Sequence, residues 1–91
     1  MALAFEYDEA KDLMNREKRG LPLSAAEELD WTTLKGFEDT RKDYGERRYV
    51  GYALRKGRLH AIVYTYRRMG IRIISLRKAN SRERKWYDRQ K

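Results

Sequence analysis

The chain concentrates its phosphate-competent chemistry in its second half, at Arg72, Arg77, Lys78, His60 and Glu83. A planar guanidinium offers two parallel donors to phosphate oxygens, so Arg72 and the Arg77-Lys78 pair are candidates for stabilising anionic charge. A solvent-facing cation on a half-exposed sheet is the plain alternative for each. His60 is the only side chain whose ordinary pKa lies near neutrality, which makes it the natural proton carrier if its strand face looks into a cleft. Ile62, Tyr64 and Tyr66 share that face, and a packed structural histidine is the competing reading, which the sequence favours. Glu83 could serve as a general base, yet it also completes N-x-x-E from Asn80, a helix capping box, and the cap explains it well. Tyr64 could stack a base or donate to phosphate, or belong to the core.

The charge distribution supports a polyanionic ligand. Net charge is +8 over 91 residues, and it is uneven. Residues 1–40 carry five Lys/Arg against ten Asp/Glu, and residues 41–91 carry seventeen against four, so a −5 segment precedes a +13 segment. Nucleic acid is the first partner this suggests and an acidic protein the second. There is no Cys, which excludes a thiol nucleophile, a disulfide staple or a redox switch. With one His, a zinc site is not expected, and no tight acidic cluster in the basic half suggests Mg²⁺. No cofactor is therefore expected. Acidic residues follow within six positions of the N-terminus, unlike a signal peptide, and no apolar run has membrane-spanning length. The cytoplasm is the expected location, with no membrane partner.

These residues must be positioned by a small set of elements. The length suits one domain, residues 1–91, and 41% hydrophobic content with periodic apolar positions suffices for a modest core. Leu3, Phe5 and Tyr7 alternate with Ala2, Ala4 and Glu6, predicting a short strand. Asp8 caps a helix to about Arg19 with Ala10, Leu13 and Met14 as its buried stripe, and Gly20 then Pro22 stop it. Ser24-Ala25-Ala26-Glu27 reads as a capping box opening a second short helix, with Ala25, Ala26 and Leu29 apolar and Trp31 near its end. A strand over 32–39 and a polar loop over 40–46 follow.

Three firmer strands come next. In 47–54, Val50, Tyr52 and Leu54 share a face, and Arg55-Lys56-Gly57 makes a hairpin loop. Residues 58–66 are dense in β-branched and aromatic types. Arg67-Arg68-Met69-Gly70 turns the chain into a last strand over 71–78. There, alternation puts Ile71, Ile73 and Ser75 on one face and Arg72, Ile74 and Leu76 on the other. A basic helix from Ser81 to about Gln90 ends the chain, with Trp86 and Tyr87 as its apolar face. The expected class is α+β: a small antiparallel sheet of three to five strands, two N-terminal helices and one basic C-terminal helix. N-terminal helices covering one sheet face leave the other face, or an edge, for function.

Several segments resemble the BrnT toxin family. FEYDEAKD and NREKRG are similar to its F-x-W-D-x-x-K and N-x-x-K-H-G, and SAAEE stands where it has S-F-E-E-A. GERRYVGY and GRLHAIVYTYR resemble its E-R-F and G-R-L-x-x-V-x-Y-T strands. IRIISLRKANSRERKWY is similar to R-I-I-S-x-R-x-A-x-x-x-E-R-x-x-Y nearly residue for residue. Tyr7 replaces the usual Trp, Arg19 stands where the family usually has His, and Leu23 replaces an aromatic. A cation at Arg19 retains the ability to bind phosphate.

The resemblance implies a RelE-like fold and cleavage of RNA that inhibits translation. It also implies an antitoxin partner, typically carrying a ribbon-helix-helix part through which the complex reaches DNA. Metal-free RNA cleavage must orient the 2′-hydroxyl, neutralise the phosphorane-like transition state and transfer protons. On this reading the catalytic candidates are Arg72, Arg77, His60 and Glu83, and RNA contacts fall to Lys78, Tyr64, Arg67, Lys18, Arg19, Arg82 and Lys85. Arg84 and Arg89 on the last helix are further backbone or antitoxin contacts. For Lys18 and Arg19 the plain alternative is complementing the helix dipole. The chain is rich in charge-stabilising groups and poor in proton-transfer groups, so a catalytically inactive module that still binds RNA or antitoxin is the alternative. A DNA-binding regulator is disfavoured, because no helix-turn-helix signature precedes the basic helix.

Overall fold

The computed structural model describes residues 4–68 and 70–90. Ala2, Leu3 and Met69, assigned above to the first strand and the last hairpin, lie outside the described residues. In chain order the elements are β1 (Ala4–Glu6), α1 (Glu9–Arg19), a 3-10 helix (Leu23–Glu28), β2 (Asp30–Asp39), β3 (Arg48–Arg55), β4 (Arg58–Arg67), β5 (Gly70–Lys78) and α2 (Ser81–Arg89).

Local chemistry sets most of the boundaries. The Asp8 carboxylate accepts from the Lys11 backbone N–H at 3.1 Å, and Gly20, at φ 67°, ends α1 with its N–H on the Arg16 carbonyl. Lys56 and Gly57, at φ 52° and 76°, form the two-residue turn between β3 and β4, the backbone twist a tight hairpin requires. Asn80 and Glu83 close the expected capping box of α2.

Four expectations are corrected. Ser24 caps no helix: the 3-10 helix is entered at Pro22 without a side-chain cap, and the Ser24 backbone N–H is donated to Asp12 Oδ1 at 3.0 Å. Ala25, Ala26 and Leu29 are buried as expected, but Trp31 lies in β2, so one N-terminal α-helix is present, not two. The sheet is mixed and not antiparallel throughout. Its order is β1-β5-β4-β3-β2, with β1 parallel to β5 and every other pair antiparallel. A parallel pair is joined by a long crossover and carries no turn signal, so the sequence could not announce it.

The third correction concerns register. Ser75 lies opposite Val63 and Ile73 opposite Tyr64, which leaves Ile74 as an extra residue in β5, a β-bulge. Strict alternation would set Arg72 with Leu76 and opposite to Arg77. The bulge reverses that parity. Leu76 joins Ile71 and Ile73 in a core with Ile62, Tyr64, Leu21, Leu23, Ala25, Ala26 and Leu29. Arg72, Ser75 and Arg77, cross-strand from Thr65, Val63 and Ala61, share the other face. α2 packs on that second face, where Trp86 and Tyr87 meet Tyr52, Leu59, Ala61 and Ala79. This is the arrangement expected of the basic helix.

The apolar stripe of α1 is not buried. Ala10 is exposed, and Leu13 and Met14 are 53% and 51% exposed. The polar side of the helix faces the body instead. Asn15 Nδ2 donates to the carbonyls of Leu21 and Leu76 at 2.6 and 2.8 Å. The reason lies at the sheet edge. β1 pairs only with residues 70–72 of β5, so carbonyls further along that edge need another donor. Replacing Asn15 by Ala should therefore lower the unfolding free energy by about 1–3 kcal/mol in urea titrations. Leu13→Ala, at an exposed position, should change it by less than about 0.5 kcal/mol.

Candidate active site

Cross-strand pairing arranges the α2 face of the sheet in rows. Lys35, Tyr52, Ala61 and Arg77 form one row, and Phe37, Val50, Val63 and Ser75 the next. α2 covers the first row, with the Tyr52 and Trp86 ring centroids 5.5 Å apart. α2 reaches the second row only at its outer end, where Phe37 meets Trp86 edge to face with centroids 5.8 Å apart, and leaves the rest half-buried. The second row floors an open recess of about 380 Å³ whose lining includes Phe37, Val50, Tyr52, Val63, Arg77 and Glu83, with residues 38–41 along its rim.

The recess is walled by a saturated carboxylate. Glu83 accepts from Arg77 Nη1 and Nη2 at 2.7 Å each, from Tyr52 Oη at 3.0 Å and from the Asn80 backbone N–H at 2.9 Å. The Arg77 guanidinium, followed by the Asn80 and Tyr52 bonds, outweighs burial and holds Glu83 down to about 2. The same hydrogen bond raises Arg77, and burial together with Glu83 raises Tyr52. On the opposite rim, buried Asp39 accepts from Arg41 Nε and Nη2 at 2.9 and 2.8 Å and from Tyr44 Oη at 3.1 Å. Arg41 thus holds Asp39 well below the usual carboxylate range.

Of the residues singled out in the sequence, Arg77 and Glu83 are brought together here. Arg72 shares their face but lies four β4 positions away, about 13 Å along the strand. Among the described residues it forms no ion pair. His60 is on the other face and 1% exposed. Its Nδ1–H donates to the Arg58 carbonyl at 2.8 Å, its Nε2 is buried without a partner, and burial pushes its pKa down. Tyr64 is also on the other face and buried, stacked on Tyr49 with centroids 5.6 Å apart. Burial pushes its phenol up.

The remaining cations lie apart from the recess. Lys78 is exposed and cross-strand from His60, and Arg67 is 3.7 Å from Glu46. Arg82 and Lys85 are exposed on α2. Lys18 and Arg19 lie at the end of α1, beside Met14 and Ile74. Sequence reasoning missed Tyr52, Phe37, Asp39 and Arg41. Tyr52 was visible as part of an alternating face, but its bond to Glu83 crosses 31 residues and has no local signal.

A family model described as "Ribonuclease toxin, BrnT, of type II toxin-antitoxin system" matches residues 7–83. The chain belongs to the BrnT family. No curated protein matches it. The BrnT match ends on Glu83 and takes in every residue of the recess described above. Membership implies a ribonuclease toxin of a type II system, with RNA as target and an antitoxin protein as partner. Among the described residues no helix is long and apolar enough to cross a membrane, and no three His, Cys, Asp or Glu are grouped to hold a metal ion.

The Glu83 geometry has a pH signature. Its folded pKa of about 2 lies below the ordinary 4.5. The interaction therefore stabilises fully above about pH 4.5 and is lost as pH falls toward 2. Its size is on the order of 2 kcal/mol, discounted because its Arg77 partner is one-third exposed. In urea titrations the stability gap between wild type and Glu83→Gln should be largest near neutral pH and narrow steadily below about pH 4.5.

Proposed function

We propose that the chain is a metal-independent endoribonuclease that cleaves RNA across the second row of the α2 face. The observation that carries this reading is the Arg77 guanidinium, fixed by Glu83 at one side of the recess, with Arg72 on the same face beyond it. Two of Arg77's five N–H groups face Glu83, and a third reaches the Lys78 carbonyl at 3.3 Å. Two donors remain for non-bridging phosphate oxygens.

The 2′-hydroxyl oxygen of RNA attacks the adjacent phosphorus and the bond to the 5′-oxygen breaks. The products are a 2′,3′-cyclic phosphate and a 5′-hydroxyl end. The 2′ proton leaves to solvent, and the departing 5′-oxygen takes one from solvent. Arg77 stabilises charge on the phosphorane-like transition state, and Arg72 holds backbone further along the strand. Half-exposed Phe37, edge to face with Trp86 at the outer end of the second row, offers the open side of its ring for a base. Glu83, ionised down to about pH 2, is a poor proton acceptor, so its role is to position Arg77. Lys78, Arg67, Arg82 and Lys85 extend the cationic field for RNA.

In this reading the toxin acts in the cytoplasm and inhibits translation by cutting RNA. A ribbon-helix-helix antitoxin neutralises it, and DNA is contacted only through that complex. Family membership and the +13 second half support these assignments. A second reading, an inactive module retaining its partners, is favoured by one observation: no histidine lines the recess, its Glu83 is held down to about 2, and His60 is buried on the other face.

Purified protein should cut single-stranded RNA in EDTA and leave 2′,3′-cyclic ends. Arg77→Ala should slow cutting by about a hundredfold while the circular dichroism spectrum is retained. Arg72→Ala should slow it by about tenfold, as expected for a backbone contact of 1–2 kcal/mol. Cleavage abolished by EDTA would overturn metal independence, and a wild-type chain that binds antitoxin without cutting would establish the second reading.

A further inference from the structure

We infer that the outward face of α1 is a docking surface for an acidic, amphipathic segment of the antitoxin. The helix is built the wrong way round for a lone chain. Its polar side, Asp12 and Asn15, makes the contacts to the body, through Ser24, Leu21 and Leu76. Ala10, Leu13 and Met14, at i, i+3 and i+4, line up on the side turned to solvent. Leu13 and Met14 are two of the large hydrophobic side chains left about half exposed. An amphipathic helix that presents its apolar stripe outward has that stripe available for a second surface.

The chemistry of the neighbouring groove selects the partner. Between α1 and β5 lies an open groove of about 230 Å³ lined by Lys11, Met14, Asn15, Lys18, Arg19 and Ile74. Met14 and Ile74 supply apolar surface, and three cations rim it. Among the described residues Lys11, Lys18 and Arg19 form no ion pair. Apolar surface ringed by free cations complements a segment that alternates acidic and aliphatic residues. RNA would engage the cations but not bury Leu13 and Met14, and none of the six groove residues is an aromatic ring on which a base could stack. The type II family assigns the chain an antitoxin protein, which is the occupant of fitting class. Because α1 and the recess do not share lining residues, this surface anchors the antitoxin without using Arg77.

The inference rests on family membership and not on the proposed cleavage, so it is tested by binding even for an inactive chain. The full-length toxin is titrated with the antitoxin obtained by co-expressing the adjoining reading frame. The double variant Leu13→Ser/Met14→Ser should bind at least thirtyfold more weakly, as should Lys18→Glu/Arg19→Glu. Both should keep wild-type circular dichroism, and Leu13→Ser/Met14→Ser should cut RNA within twofold of the wild-type rate. In growth assays both should escape neutralisation. Unchanged antitoxin affinity in both variants would overturn the assignment. So would a wild-type homodimer in sedimentation that Leu13→Ser/Met14→Ser dissociates, or a loss confined to RNA affinity.

Discussion

Much of this structure depends on one carboxylate being fully satisfied. Glu83 receives four hydrogen bonds, from β5 through Arg77, from β3 through Tyr52 and from the backbone of Asn80. A half-buried carboxylate with fewer donors would cost more to desolvate than it returned. With four, it ties the start of α2 to two neighbouring regions of the sheet and sets the direction of Arg77. The same residue therefore caps a helix, fastens that helix to the sheet and walls the recess. Local capping and tertiary placement are one device here.

The second constraint is the bulge at Ile74. Without it, Arg72 and Arg77 would emerge on opposite faces, and Leu76 would leave the core. One inserted residue gives the second face two guanidinium groups and gives the first face an uninterrupted apolar set, Ile71, Ile73 and Leu76. The division of labour between faces follows. The N-terminal elements close one face around His60 and Tyr64, and α2 covers only part of the other. The polar attachment of α1 belongs to the same economy, because a helix that supplies Asn15 to an unpaired sheet edge cannot also bury the stripe on its far side.

What the sequence made legible was whatever is encoded locally. Asp8 and Asn80 as caps, Gly20 as a stop, the turn at Lys56-Gly57 and the three central strands all rest on contacts within a few residues. Trp86 and Tyr87 as the docking face of α2 were readable for the same reason, as the only apolar pair on a basic helix. The parallel pairing of β1 was not readable, since it joins residues 4–6 to residues 70–72 with no turn between them. Nor was the bulge, because Ile73 and Ile74 are equally apolar and alternation offers no reason to skip one. At the candidate site, the pairing of Arg77 with Glu83 was half visible. Both residues were singled out, but Glu83 reads locally as a cap and its bond to Tyr52 is long-range. His60 drew attention by its titration range, while its burial depended on which face the N-terminal elements would cover.

The proposed cleavage requires RNA to lie on the α2 face, against Arg77 and Arg72. The most direct measurement is nuclear magnetic resonance of the arginine Nε–Hε groups and of the valine, leucine and isoleucine methyls during titration with a 2′-deoxy oligonucleotide, which lacks the attacking hydroxyl. Shifts are expected at Arg72 and Arg77 and at the methyls of Val50 and Val63, with Ile62 and Leu23 unmoved. Shifts confined to α1 or to the His60 face, with Arg77 unaffected, would contradict that placement.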